Sequence, residues 1–345
     1  MTDDYIYEVS EYITEKALEE TSIKLNPKGS ILIAMYGATI GKVGILTFES
    51  ATNQACCACT EYENIVAQKY LFYFLLSHKK NFVMIGGGGA QPNISKEKIV
   101  ETFIPLPPLK EQERIVQEVD RLFALIDQLE EDKTALQQLV TQLKSKILSL
   151  AIRGQLVPQD ANDTPAEELL KQINPAYKSS GNLHYKNLPK GWEVIPIKMV
   201  CKLNDGEKKK NVELPYLDVK YFRGKVANTT KKDGKFIPKN TTLILVDGEN
   251  SGEIFYASRE GYQGSTMKIL KIEPIVDRMY ILHFIKSYQK ELKENKVGSA
   301  IPHLNKKLFG ELQLPLPPLA EQQRIVEQVE KLFKQLDEIQ NALAI

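Results

Sequence analysis

The chain has no apolar run approaching the roughly 20 residues that a membrane-spanning helix requires. Its first 30 residues lack the basic start and apolar core of a signal peptide, so the expectation is a cytoplasmic protein with no membrane partner. Only four cysteines occur in 345 residues, too few for a disulfide framework. Three of them, Cys56, Cys57 and Cys59, crowd into one short stretch. Tetrahedral zinc needs two separated ligand pairs, so these read as small apolar thiols on a half-buried strand, with no metal expected. The net charge is +1, so the overall electrostatics do not announce a polyanionic partner.

Catalytic signatures are equally thin. Asn174-Pro175-Ala176-Tyr177 approaches the Asn-Pro-Pro-Tyr loop with which amino-methyltransferases hold adenine. Its third residue is Ala, however, and no glycine-rich cofactor loop follows a strand, so it reads as a helix stop. Gly37–Lys42 (GATIGK) resembles a piece of a phosphate loop, but Val43 stands where a magnesium-binding Ser or Thr belongs. A strand–turn–strand is the better reading. His184, His283 and His303 have no partner that sequence can identify, and no cofactor is implied.

What the chain does have is an internal repeat, which must be recognised before any fold is assigned. PLPPLKEQERIVQEVDRLF (105–123) and PLPPLAEQQRIVEQVEKLF (315–333) agree at 13 of 19 positions, at an offset of 210. Tyr70, Phe74 and Ser77 answer Tyr280, Phe284 and Ser287 at the same offset. The loop Gly88-Gly89-Ala90-Gln91-Pro92 answers Gly298-Ser299-Ala300-Ile301-Pro302, and Gly37 and Gly41 answer Gly248 and Gly252. Similar frames with divergent interiors imply two modules doing the same work on different targets.

Each proline-led start opens a long helix, because proline is pre-organised for the first helical turn. In the first helix the apolar positions run 115, 119, 122, 126, 129, 133, 136, 140, 143, 147 and 150, interrupted only by Lys133. The second offers Ile325, Val329, Leu332, Leu336, Ile339 and Leu343. Steps alternating four and three form a coiled-coil seam. The expectation is an antiparallel pair with Ile115, Leu122, Leu136 and Leu143 buried against Val329, Leu332 and Leu336.

The chain therefore divides, in expectation, into five segments. Residues 1–103 are a first globular module lacking an N-terminal counterpart of Leu188–Lys210, and 104–153 are the first long helix. Residues 154–187 are a connector and linker, 188–312 a second module, and 313–345 a second helix that stops short. Between Gly206 and Lys239 ten Lys or Arg face four Asp or Glu, interleaved with Tyr216, Tyr221, Phe222 and Phe236. That composition suits a phosphate backbone.

The tandem layout, the PLPPLxEQxRIV starts and AIRGQLVPQDANDTPAEELL (151–170) together resemble the specificity (S) subunits of type I restriction-modification systems. The resemblance implies an α+β fold: two tandem mixed α/β target-recognition domains joined by long antiparallel coiled-coil helices. It implies a non-catalytic subunit that reads a bipartite site in double-stranded DNA. Two methyltransferase (M) subunits would dock on the helices, and restriction (R) subunits would join through M. The expected DNA contacts are Lys208, Lys209, Lys210, Lys220, Tyr221, Arg223, Asn250, Ser251, Ser299 and His303 in the second module. In the first they are Thr39, Lys42, Gly88, Gln91 and Asn93. Two other classes remain open: a coiled-coil scaffold that binds only protein, from a truncated or silent cassette of such a gene, and an adenine methyltransferase using Asn174–Tyr177.

Overall fold

Short β-branched runs broken by glycine set up short strands in both repeats, and each repeat closes on a long helix. The computed structural model describes residues 3–61, 65–86, 93–179, 185, 187–225, 229–297 and 302–343. They fall into two units, Met1–Asp132 and Lys133–Ile345.

Unit 1 runs β1 (Asp4–Ile6), α1 (Glu15–Glu20), β2 (Leu25–Asn26), β3 (Ile31–Ala34), β4 (Val43–Leu46), β5 (Ser50–Ala51), β6 (Cys56–Cys59), α2 (Gln68–Ser77), α3 (Lys79–Ile85) and α4 (Lys96–Val100). It then enters α5 (Leu109–Ile152). The sheet order is β1-β4-β3-β6, with β3 antiparallel to both neighbours and β1 parallel to β4. GATIGK is the turn between β3 and β4, and Gly37 and Gly41 take φ of 65° and 74°, a region that disfavours any side chain. Ile31, Ile33, Val43 and Ile45 pack on Phe72, Leu75 and Phe82 to form the core.

Unit 2 contains the end of α5, then α6 (Ala166–Ile173), β7 (Glu193–Pro196), β8 (Cys201–Asn204), β9 (Glu207–Lys209), β10 (Leu214–Leu217), α7 (Val219–Phe222), β11 (Thr230–Lys231), β12 (Gly234–Ile237), β13 (Thr241–Leu245), β14 (Ile254–Ala257), β15 (Gly261–Gln263) and β16 (Met267–Ile272). It closes with α8 (Arg278–Ser287), α9 (Gln289–Glu294), α10 (Lys306–Glu311), β17 (Gln313–Leu316) and α11 (Leu319–Ala342). One sheet is ordered β14-β13-β16-β8 and a second β11-β10-β15-β12-β9, while β17 pairs antiparallel with β7. The first sheet repeats the β4-β3-β6 core of unit 1, and the antiparallel β12–β15 pairing of the second recurs there, register included, as β2–β5.

The repeat is also written in hydrogen bonds. Proline has no N–H to donate, so the PLPP segments are fixed through their carbonyls. Tyr70 donates its hydroxyl to Pro105 O at 2.8 Å, and Tyr280 donates to Pro315 O at 2.6 Å. The glutamine of each PLPPLxEQ start is fully buried. Gln112 accepts from Ala67 N at 2.7 Å and donates to Pro107 O at 2.8 Å. Gln322 accepts from Asp277 N and donates to Pro317 O, both at 2.8 Å.

Within unit 2, the end of α5 and α11 run antiparallel. Lys144 Nζ meets Asp337 Oδ1 at 2.5 Å and Gln340 Oε1 at 3.0 Å, while Leu148, Ala151 and Ile152 share a core with Ile325, Val326 and Val329. Val329 and Leu336 are buried and Leu332 is half-buried, but the seam expected along α5 is only partly covered. Ile115, Leu122, Leu136 and Leu143 are 37%, 46%, 37% and 40% exposed. Two causes act. Within unit 2, with Lys144 opposite Asp337, the described residues of α11 run out before reaching Leu136. At the covered end, the buried residues Val140, Leu148, Ala151 and Ile152 follow the 3.6-residue turn of a straight helix, which turns Leu143 outward and Lys144 inward.

Candidate nucleic-acid interface

In each unit a hairpin turn meets the residues just ahead of a short helix, α4 in unit 1 and α10 in unit 2. Gly248 and Gly252, with φ of 112° and 96°, shape the turn between β13 and β14. Gly248 N donates to Pro302 O at 2.7 Å, and Leu304 N donates to Val246 O at 2.7 Å. Asp247 and His303 form an isolated antiparallel bridge between the two segments. Unit 1 builds the same junction from other residues: Tyr36 bridges Asn93, and Ile94 N donates to Met35 O at 2.9 Å.

Side chains at this junction differ completely. His303 Nδ1 lies 2.7 Å from Asp247 Oδ1, which fixes the ring and leaves Nε2 without a hydrogen bond among the described residues. Asn250 is exposed at the tip of the turn, as Thr39 is in unit 1, where its hydroxyl donates to Tyr36 O at 3.2 Å. Asn93 is exposed and Lys42 half-buried.

Ser251 does not fit the expectation. It is 1% exposed, and its hydroxyl donates to Gly248 O at 2.6 Å, so it holds the turn from inside. Gly88, Gln91 and Ser299 lie outside the described residues.

Helix α7 brings part of the basic stretch to the turn. Asp218 caps it by accepting from Tyr221 N at 2.9 Å, and Phe222 stacks on Phe255 of β14 with centroids 5.1 Å apart. Arg223, just past α7, pairs with Glu253 beside Asn250. Lys220 is exposed on α7, while Tyr221 is half-buried against the core beneath it.

Lys208 and Lys209 sit on β9, at the outer edge of the five-stranded sheet, with Lys210 following. All three are exposed, and Lys209 Nζ covers the Phe236 ring at 3.8 Å. Lys231 likewise covers Tyr216 at 3.4 Å, so these aromatics are engaged within the unit. Desolvation would raise the carboxyl of nearby Asp205, which is exposed. Hydrogen bonds from Lys268, Lys235 and Gln263 outweigh desolvation and hold it well below the usual carboxylate range.

Sequence reading missed one further group of cations. An open cleft of about 740 Å³ in unit 2 is lined by Arg223, Asn250, Ser251 and Glu253 together with Lys144, Lys286, Lys290 and Lys293. The last three are spaced i, i+4 and i+7, which places them on one side of the α8–α9 segment. The Lys286 ammonium is depressed, first by burial and then by Lys144. Asn174–Tyr177, by contrast, forms a local turn: Asn174 Oδ1 accepts from Ala176 N, and the Tyr177 hydroxyl donates to Glu193.

Residues 3–138 and 189–344 both match the family model described as the type I restriction modification DNA specificity domain. The chain belongs to this family. It is similar to the type I restriction enzyme MjaVIII specificity subunit of Methanocaldococcus jannaschii, at 35% identity over 42% of this chain and 36% of that protein. It is 24% identical to the Escherichia coli EcoBI specificity subunit, over 85% of this chain and 65% of that one. The chain thus spans less than two thirds of either relative. The fold also matches the solved HsdS subunit from Thermoanaerobacter tengcongensis, with a TM-score of 0.57 at 19% identity, covering 93% of this chain and 77% of that one. A chain solved in work on complex assembly and conformational transition of the type I R-M system gives 0.61 at 20% identity, covering 93% and 78%. Among the described residues, no helix is long and apolar enough to cross a membrane.

Proposed function

We propose that this member of the DNA specificity family is the non-catalytic subunit that chooses the DNA site for methyltransferase and restriction partners. The observation that carries the reading is the recurring junction between the hairpin turn and the residues ahead of α4 or α10. Its backbone frame is the same in both units, while Tyr36 and Asn93 in one stand where Asp247 and His303 stand in the other. A fixed frame with exchanged side chains suits two heads that read different halves of a bipartite site.

Roles divide by chemistry. Lys208, Lys209, Lys210, Lys220 and Arg223, with Lys42 in unit 1, would meet phosphates and set register. Asn250 and His303, with Thr39 and Asn93 in unit 1, offer directional donors and acceptors to base edges. Gly88, Gln91 and Ser299 are assigned to the same two faces on sequence position alone. The M subunits, two per assembly, would dock along the long helices and carry the R subunits, all in the cytoplasm beside the host DNA.

Fluorescence anisotropy with the M subunits and a pool of duplexes tests this. Addition of the chain should create a sequence preference that M alone lacks. If M shows the same preference with and without the chain, the specificity role fails. Binding of adenosylmethionine by the chain alone would favour an enzyme instead.

A further inference from the structure

His303 is held by backbone bonds on two sides. Its N–H donates to Val297 O at 2.8 Å, and its carbonyl accepts from Val297 N at 3.0 Å. On its other side it bridges Asp247, with Gly248 N on Pro302 O and Leu304 N on Val246 O, both at 2.7 Å. Asp247 is fixed in turn, its N–H on Thr266 O at 3.3 Å. Lys296 Nζ donates to Glu249 O at 2.9 Å and closes the turn beside them. The two side chains meet on this frame with Nδ1 2.7 Å from Oδ1, and the imidazole is 48% exposed.

That contact decides which ring nitrogen carries the proton. An ionised carboxylate only accepts, so the hydrogen between the two atoms belongs to Nδ1. In the neutral ring Nε2 then keeps a bare lone pair and can only accept. The matching bridge in unit 1 sets Tyr36 beside Asn93. An amide already carries both a donor and an acceptor and needs no neighbour to assign them. Of the two bridges, the carboxylate stands in the one that contains an imidazole.

We propose that Asp247 is a positioning residue for specificity: it holds His303 in the Nδ1–H tautomer, so that Nε2 accepts a hydrogen bond from a base amino group, adenine N6 or cytosine N4, in the major groove. Guanine N7 and O6, adenine N7 and thymine O4 are refused at that contact, because two lone pairs would face each other. Resting on the role of unit 2 as a DNA reader, Asp247 thereby sets the polarity of one base contact.

Two measurements test this. In the first, the full chain is labelled with heavy nitrogen in its four histidines, and the His303 ring is assigned by its loss in His303→Ala. Proton–nitrogen correlation at about pH 8, where imidazole in water is neutral, reads the tautomer. The native chain should show a bare Nε2. Asp247→Asn, whose amide can donate to Nδ1, should shift the ring towards Nε2–H. In the second, the chain with its M subunits binds duplexes of the sequence that the native complex methylates, followed by fluorescence anisotropy. At the base pair that His303→Ala relaxes, one duplex carries purine for adenine, or 2-pyrimidinone for cytosine, which deletes the amino group. Another carries the 7-deaza form of the purine, which deletes N7. The native chain should bind the first duplex about tenfold more weakly and the second unchanged. His303→Ala should be indifferent to both, and Asp247→Asn should lose most of the penalty on the first. An Nε2–H or doubly protonated ring in the native chain, a loss on the 7-deaza duplex instead, an equal amino penalty with and without His303, or no position relaxed by His303→Ala would each overturn the proposal. If the complex still prefers one sequence, only the polarity of this contact falls. If it prefers none, the DNA-reading role falls with it.

Discussion

Gln322 accepts a hydrogen bond from Asp277 N at 2.8 Å and so ties the first turn of α11 to the start of α8. Its amide nitrogen simultaneously holds Pro317 O, so a fully buried side chain links the globular part to the helix that follows it. Gln322→Ala would strand a buried donor and a buried acceptor, each worth about 1–3 kcal/mol when left unmade. Urea denaturation should show a loss of that order. Gln112→Ala, which breaks three bonds of the same kind, should do likewise in unit 1.

Glu321 is 1% exposed beside Trp192, and burial pushes its carboxyl above the ordinary 4.5, against the pull of Trp192 and Arg324. A raised carboxyl favours the protonated folded state, so ionisation costs stability above pH 4.5. Glu321→Gln keeps an oxygen for the indole N–H. It should therefore raise the melting temperature at pH 7 to 8, with the gain shrinking as the pH falls towards 4.5. Equal gains at both ends of that range would show that the charge is not the cause.

His283 presents the reverse sign. Burial and Lys286 lower its pKa from 6.5 to about 4, and its ring stands edge-on to Phe333 with centroids 5.9 Å apart. Its contribution is complete above pH 6.5 and is lost as the pH falls through 4, because the unfolded chain takes up the proton first. His283→Phe should flatten that part of the stability profile. Comparing urea midpoints of both proteins at pH 7.5 and 5 measures the difference.

Lys208 is exposed on the edge strand β9. As a phosphate contact it carries no sequence information. Lys208→Ala should weaken binding to all duplexes alike and reduce the slope of log affinity against log salt by about 1. A change confined to one sequence would move Lys208 among the base readers.

Much of this was legible in the sequence, for a physical reason. Prolines cannot donate and helix starts need partners, so the PLPPLxEQ stretches announced both junctions before their hydrogen bonds were seen. The heptad pattern was over-read: it gives the period of a stripe but not how far a partner helix reaches, and Leu122 stays exposed. The pairing of His303 with Asp247 was hidden because it joins residues 56 positions apart. Lys286, Lys290 and Lys293 could have been found from their helical spacing. The burial of Ser251 was not legible because a hydroxyl beside a turn glycine serves the turn as readily as a ligand.

The methylation profile of DNA treated with the chain and its M subunits, read base by base, tests the central claim most directly. The account predicts one bipartite target for the native chain. His303→Ala and Asn250→Ala should each relax that target at one or two positions of the same half-site while total methylation persists. An identical target in the native protein and both variants would contradict the assignment of the Asp247–His303 junction as a reading head.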